Sequence, residues 1–212
     1  VPDSLGTRQR LTGTLHGLNH YRSTSTPLGI QFIMIDATGG TTIRRAGTDF
    51  GISNLSEGDS VIVEGVVEQF QGLTQMNVDT VIRVATGRTL RSPLLVTEPS
   101  EATENEYIRI ENLSITGGTW PAAGSTSTGV NLTVESIHNP GQTFTVRVVP
   151  NTTDLGGNGP TTPVFDLVGV GGQFMSSSPF FGGYQLFPRS SADVISHTAP
   201  TTVDVTFRVD MR

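Results

Sequence analysis

Apolar residues along this chain come in short alternating runs rather than in long stripes, the two-residue period of strands with one buried face. Residues 11–21, "LTGTLHGLNHY", predict a first strand, and "STSTP" a turn out of it. In "GIQFIMID" Ile30, Phe32 and Met34 share one face while Ile33 and Ile35 lie on the other, which predicts a central strand buried on both sides. "DATGGTTIRR" reads as a hairpin turning at Gly39 and Gly40. A polar connector, "TDFGISNLSEGD", has room for one helical turn at most. "SVIVEGVVEQF" then predicts a long fourth strand bent at Gly65, and "LTQMNVDTVIRVA" its antiparallel return. Five strands in that order follow the plan of an OB-type Greek-key barrel.

A second cycle begins near residue 106. "YIRIENLSI", "GVNLTVES", "QTFTVRVV", "PVFDLVGVGGQF" and "GYQLFPRSSADVI" repeat the five strands, with "PNTTDLGGNGPTT" as connector. The stretch "GVVEQFQGLTQM" at 65–76 is echoed by "GVGGQF" at 169–174 and "GYQL" at 183–186. Gly29 and Gly129 both open strand two, Gly65 and Gly169 both bend strand four, and Gln75 and Gln185 both sit early in strand five. The expected fold is therefore all-β, two tandem OB-like five-stranded barrels. The expected boundaries are 1–90 for the first barrel, a linker rich in Pro, Thr and Glu at 91–105, 106–198 for the second barrel, and 199–212 as the start of a following β domain. The tail "TTVDVTFRVDMR" alternates like a half-buried strand but belongs to neither cycle.

Composition narrows the chemistry. Thirteen basic residues, all Arg, stand against nineteen Asp and Glu, a net charge of −6, so bulk attraction to phosphate backbones is not expected. Cysteine is absent, which excludes disulfides and thiol catalysis. No apolar stretch is long enough for a membrane span, and no charged-then-apolar leader opens the sequence. A chain that opens on Val1 rather than Met reads as a fragment or a processed product.

The first cycle, through "GIQFIMIDATGG" and "LSEGDSVIVEGVVEQFQGLTQM", resembles OB-fold modules of large secreted bacterial proteins, which often stand beside nuclease, phosphatase or adhesin-like domains. Asp36, Gly39, Gly40, Gly58, Asp59 and Gly65 carry the resemblance, over residues 10–85. The second cycle departs from it: "ESIHNPGQ" replaces the Asp-x-Thr-Gly-Gly turn. "VTFRVDM" resembles the opening of a β-sandwich module of similar proteins. The resemblance implies export, an extracellular or cell-surface setting, and neighbouring domains in one polypeptide as partners.

No nucleophile with a base, carboxylate pair or metal set is signalled, so no catalytic residue, metal or cofactor is expected. His16 and His20 read as surface histidines. Asp36, Asp59 and Asp154, each near glycine, read as turn residues, and "DLGGNG" at 154–159 lacks the alternating carboxylates and final Glu of a calcium loop. The candidate ligand residues are aromatic and basic. Trp120 lies in the long loop after the second barrel's first strand, and Phe180, Phe181 and Tyr184 in the loop between its fourth and fifth, with Arg147 on strand three beneath. Tyr21, Arg44 and Arg45 are the counterparts offered by the first barrel. Such rings stack on bases or on sugar faces; alternatively they cap the barrel end or pack between the domains. The expectation is a non-catalytic spacing or binding module with weak ligand affinity in its second barrel. The alternatives are a single-stranded nucleic-acid module accessory to a secreted nuclease and an oligosaccharide-binding module.

Overall fold

A computed structural model describes residues 4–21, 29–52 and 55–197. The turn at 23–27 and the strand expected in 199–212 lie outside the described residues. Strands β1 (Arg8–His16), β2 (Ile30–Ile35), β3 (Gly40–Arg45), β4 (Ser60–Phe70) and β5 (Leu73–Ala85) close into a barrel in the order β1-β2-β3-β5-β4. All pairings are antiparallel except β3 with β5, as an OB-type barrel requires. Leu15, Phe32, Ile43, Val61, Val63, Met76 and Val78 fill its interior. The strand at 11–21 was expected too late: pairing begins at Arg8 and stops at His16, where Gly17 takes a left-handed φ of 84°.

The remaining strands are β6 (Leu94–Leu95), β7 (Tyr107–Gly117), β8 (Val130–Ser136), β9 (Thr143–Val148), β10 (Phe165–Gln173), β11 (Tyr184–Phe187) and β12 (Val194–Ser196). They form a seven-stranded sheet in the order β12-β10-β11-β9-β8-β7-β6, with β10 also pairing β7. Five of its strands therefore repeat the first unit's cycle of pairings, including one parallel pair, β9 with β11. The long fifth strand expected at 183–195 is instead two short ones, because Pro188 has no N–H to donate and turns the chain out of the ladder. Ile108, Ile110, Leu132, Val146, Leu167 and Leu186 lie in this unit's core. Among the described residues no helix is long and apolar enough to cross a membrane.

Gly65 and Gly169 occupy equivalent places. A β-carbon on Gly65 would stand 2.3 Å from the Asn77 carbonyl oxygen, and one on Gly169 would stand 2.5 Å from that of Phe187. In both units strand four bends so tightly against strand five that only hydrogen fits.

The two units share a third apolar cluster. Ile33 and Ile35, on the outer face of β2, pack with Val168, Val170 and Tyr107, so the two-sided burial read from "GIQFIMID" has the second unit as its outer partner. Within residues 91–105, expected as a linker, Pro99, Thr103 and Asn105 are buried. Leu94 and Leu95 add a parallel edge strand to β7. Asn105 is 3 % exposed at φ 59°, a left-handed conformation that Asn tolerates. Its Oδ1 accepts from Thr42 Oγ1 at 2.7 Å, its Nδ2 donates to the Thr74 carbonyl at 2.9 Å, and its own N–H donates to the Gly171 carbonyl at 2.8 Å. One side chain and one amide thus join both units. Gly40 and Gly171 leave room for the connecting backbone, since β-carbons there would lie 1.9 Å and 2.0 Å from the carbonyls of Asn105 and Thr103.

A second weld is ionic. Arg189, 8 % exposed, donates to Asp193, to the Tyr107 hydroxyl and to Glu57 of the first unit, and stacks over the Tyr107 ring at 4.1 Å. His16 and His20 are not surface residues: they are 1 % and 8 % exposed, and His16 lies against the Tyr107 ring of the second unit and the Arg91 amide of the connecting segment. His16 Nδ1 is 3.0 Å from the Thr14 carbonyl and Nε2 accepts the Arg91 N–H at 3.2 Å, which fits the neutral ring. Burial pushes its pKa below the ordinary 6.5, and the Arg189 and Arg91 charges act in the same direction.

Two outcomes are expected. Asn105→Ala removes two hydrogen bonds, strands the Thr42 hydroxyl and places Ala at positive φ, which costs about 2 to 4 kcal/mol in urea unfolding; Asn105→Gly recovers only the backbone part. Because the unfolded chain binds a proton at His16 that the folded chain resists, its contribution is full above pH 6.5 and is lost as pH falls toward the depressed folded value. Unfolding midpoints at pH 7.5 and 5.5 should therefore differ less in His16→Gln than in the wild type.

Candidate functional site: a groove between equivalent faces

Strand register shows which positions of the two units correspond. Gln31 pairs with Arg44 across β2 and β3, and Asn131 with Arg147 across β8 and β9. Gln75 lies beside Thr42 and opposite Glu68; Gln185 lies beside Thr145 and opposite Gly172. Two residues further along strand four, Phe70 corresponds to Phe174. Each of these side chains points away from its own unit's core, because alternate neighbours (Phe32, Ile43 and Met76; Leu132, Val146 and Leu186) fill the interiors.

The seam turns these outward faces toward a common groove of about 470 Å³. From the first unit it is lined by His20, Tyr21, Gln31, Arg44, Phe70, Leu73 and Gln75, and from the second by Asn131, Arg147, Gln173, Phe174, Gln185 and Phe187. Four pairs of equivalent positions contribute to it: 31 with 131, 44 with 147, 70 with 174, and 75 with 185. In an acidic chain, none of the lining residues is Asp or Glu, and two are Arg. Phe70 and Phe174 stand open to solvent, 56 % and 55 % exposed.

The two arginines are held in place. Arg44 lies over the Tyr21 ring at 5.6 Å, and Arg147 Nη1 donates to Asn131 Oδ1 at 2.7 Å. The two glycines that open strand two serve this arrangement. A β-carbon on Gly29 would press on the Tyr21 ring at 2.6 Å, and one on Gly129 would lie 2.4 Å from Arg147 Nη2. The Gln side chains ending strand four pin their hairpins: Gln69 Nε2 donates to the Gly72 carbonyl, and Gln173 Nε2 to those of Phe180 and Gly182.

Of the residues singled out from the sequence, Tyr21, Arg44 and Arg147 come together in this groove. Arg45 does not line it and donates to Asn77 Oδ1 at 3.2 Å. Trp120 caps the second core instead: its Nε1 donates to the Leu155 carbonyl at 2.8 Å and its ring packs on Gly159. Tyr184 donates to Glu101 at 2.9 Å, tying strand five to the connecting segment. Phe180 contributes its carbonyl to Gln173, and Phe181 projects outward at 73 % exposure. A groove is expected between the long loops of the second cycle, whereas the one these residues line lies between the two units. Asp36 makes the expected turn, accepting from the Thr38 and Gly39 N–H groups, whereas Asp154 reaches across to Ser191. Phe70, Phe174, Gln75 and Gln185 were missed as site residues, although the echo "EQF…TQM" and "GQF…YQL" contains all four.

No family model matches the chain, and no curated protein does. Among solved structures, it is similar to a replication protein A heterotrimer bound to single-stranded DNA, at 9 % identity and TM-score 0.34, covering 69 % of this chain and 39 % of that one. It is similar to a murine DNA-binding protein bound to double-stranded DNA, at 10 % identity and TM-score 0.36, covering 92 % and 100 %. A third likeness is to the single-stranded DNA-binding protein of Thermus aquaticus, at 14 % identity and TM-score 0.28, covering 93 % and 97 %. The chain thus spans well under half of the first of these, and likenesses at such scores carry no argument about what it binds.

Proposed function

We propose that the chain is a non-catalytic pair of OB-type barrels that binds single-stranded nucleic acid in the groove between them. The observation that carries this reading is the coincidence, at equivalent positions of both units, of an outward arginine and an open phenyl ring in a groove whose lining residues include no Asp or Glu. A flexible strand offers what those groups take: phosphates for two guanidinium forks, and unstacked bases for the rings. A duplex presents no free base face, so Phe70 and Phe174 would be left without partners. The net negative charge of the chain keeps the interaction modest, because bulk attraction to phosphates is absent. Within an exported multi-domain protein, the setting implied by the resemblance of the first barrel, the module would hold a strand for a neighbouring domain.

A neutral oligosaccharide is the second reading, supported by the four Gln and one Asn that line the groove with the rings. It would leave the two guanidinium groups without an anionic partner, and salt dependence separates the two.

Titration of a fluorescent single-stranded oligonucleotide at several salt concentrations is expected to give a log–log slope of about −1.4 for two phosphate contacts. Arg44→Ala and Arg147→Ala should each bring the slope to about −0.7. Phe70→Ala or Phe174→Ala should weaken binding by about 1 to 3 kcal/mol at unchanged slope. A slope near zero with tight glycan binding would favour the second reading, and no effect of either arginine would exclude the groove.

A further inference from the structure

In both units a glutamine precedes the open phenyl ring: Gln69 before Phe70, and Gln173 before Phe174. The first unit's turn is only Gln71 and Gly72, and one bond from Gln69 to the Gly72 carbonyl at 2.8 Å pins it. In the second unit residues 174–183 separate the strands, and none of them is buried. Hydrogen bonds rather than apolar packing hold this loop. Gln173 Nε2 donates to the carbonyls of Phe180 at 2.7 Å and Gly182 at 2.9 Å, and the Phe174 N–H donates to that of Gly183 at 2.9 Å, so two adjacent residues grip the same returning limb. Two carbonyls can be met only by the nitrogen end of an amide, which fixes the way Gln173 is turned. Its Oε1 then faces Gly72 of the first unit, where a β-carbon would stand 2.3 Å away, and has no hydrogen-bond partner. Beside this contact the Met175 N–H donates to the Gln71 carbonyl at 2.6 Å. Phe70 and Phe174 therefore spring from positions next to the two ends of one hydrogen bond between the units.

Gln173 is 4 % exposed, and an apolar side chain of its length would fill the same place without burying an unpartnered oxygen. What the amide provides instead is position. We infer that Gln173 is a positioning residue for the stacking ring of Phe174: by holding the 180–183 limb it fixes the backbone from which the ring projects, and by resting on Gly72 it keeps that ring in register with Phe70 on the opposing hairpin. This inference rests on the nucleic-acid reading of the groove. A ring that is 55 % exposed has few neighbours to orient it, so any freedom of its backbone passes into the ring. Ordering the backbone before the ligand arrives removes that entropic cost from binding.

The test is titration of fluorescein-labelled dT12 with the wild type, Gln173→Met, Phe174→Ala and their combination. Methionine matches glutamine in length and has no N–H to donate. Gln173→Met should weaken binding about tenfold, within the range of one base stacked on a ring, at an unchanged salt slope. Added to Phe174→Ala it should weaken binding no further, because the ring it positions is gone; added to Arg147→Ala its tenfold effect should persist. A general loosening of the fold would persist on both backgrounds. In the wild type, NMR should find the Gln173 side-chain amide protons slow to exchange with solvent and shifting with the Phe174 amide on one saturation curve as dT12 is added. Unchanged affinity in Gln173→Met, a loss that persists on the Phe174→Ala background, or rapidly exchanging Gln173 amide protons overturns the role of Gln173 and leaves the groove standing. Failure of dT12 to bind the wild type, or binding unaltered by Phe174→Ala, overturns the reading of the groove itself.

Discussion

The structure depends on a buried contact between the walls of its two units. A central strand of each unit, β2 in the first and β10 in the second, is apolar on both faces, and the outer faces have nowhere to go but against each other. Apolar contact alone is non-directional and would let the units slide. Directionality comes from the polar groups set into the seam. Asn105 bonds to both units through atoms that can be satisfied in one geometry, and Arg189 reaches Glu57 across the boundary while Asp193 balances its charge. The groove is a consequence of that fixed orientation: equivalent outer surfaces are turned toward one cleft.

Equivalence of position does not make the halves chemically identical. The arginine, the open phenyl ring and the strand-five glutamine are kept in both units. The partners of the glutamine differ: Gln75 donates to Glu68, whereas Gln185 stands opposite Gly172.

The fold was legible because its information is local. Alternation gave the strands, the bent glycines gave the barrel corners, and the repeated spacing gave the second cycle. What the sequence did not reveal was orientation. Composition made 91–105 look like a tether, whereas Asn105, Thr103 and Leu94 gain meaning only against surfaces distant in the chain. The candidate site suffered for the same reason. Long aromatic loops drew attention to Trp120 and Phe181, yet Trp120 packs against the second unit's core and Phe181 points away. Meanwhile Phe70 and Phe174 look like ordinary strand ends until the two units are set face to face. The repeated Gln-Phe and Gln positions were visible as an echo; that they share one cleft was not.

The most direct test of a shared groove is an NMR titration of isotope-labelled protein with a short single-stranded oligonucleotide. The account predicts that Arg44 and Arg147 side-chain resonances, with the amides of β3 and β9, shift together along one saturation curve at one strand per chain. Shifts confined to a single barrel, or centred on the loops around Trp120 and Phe181, would contradict it.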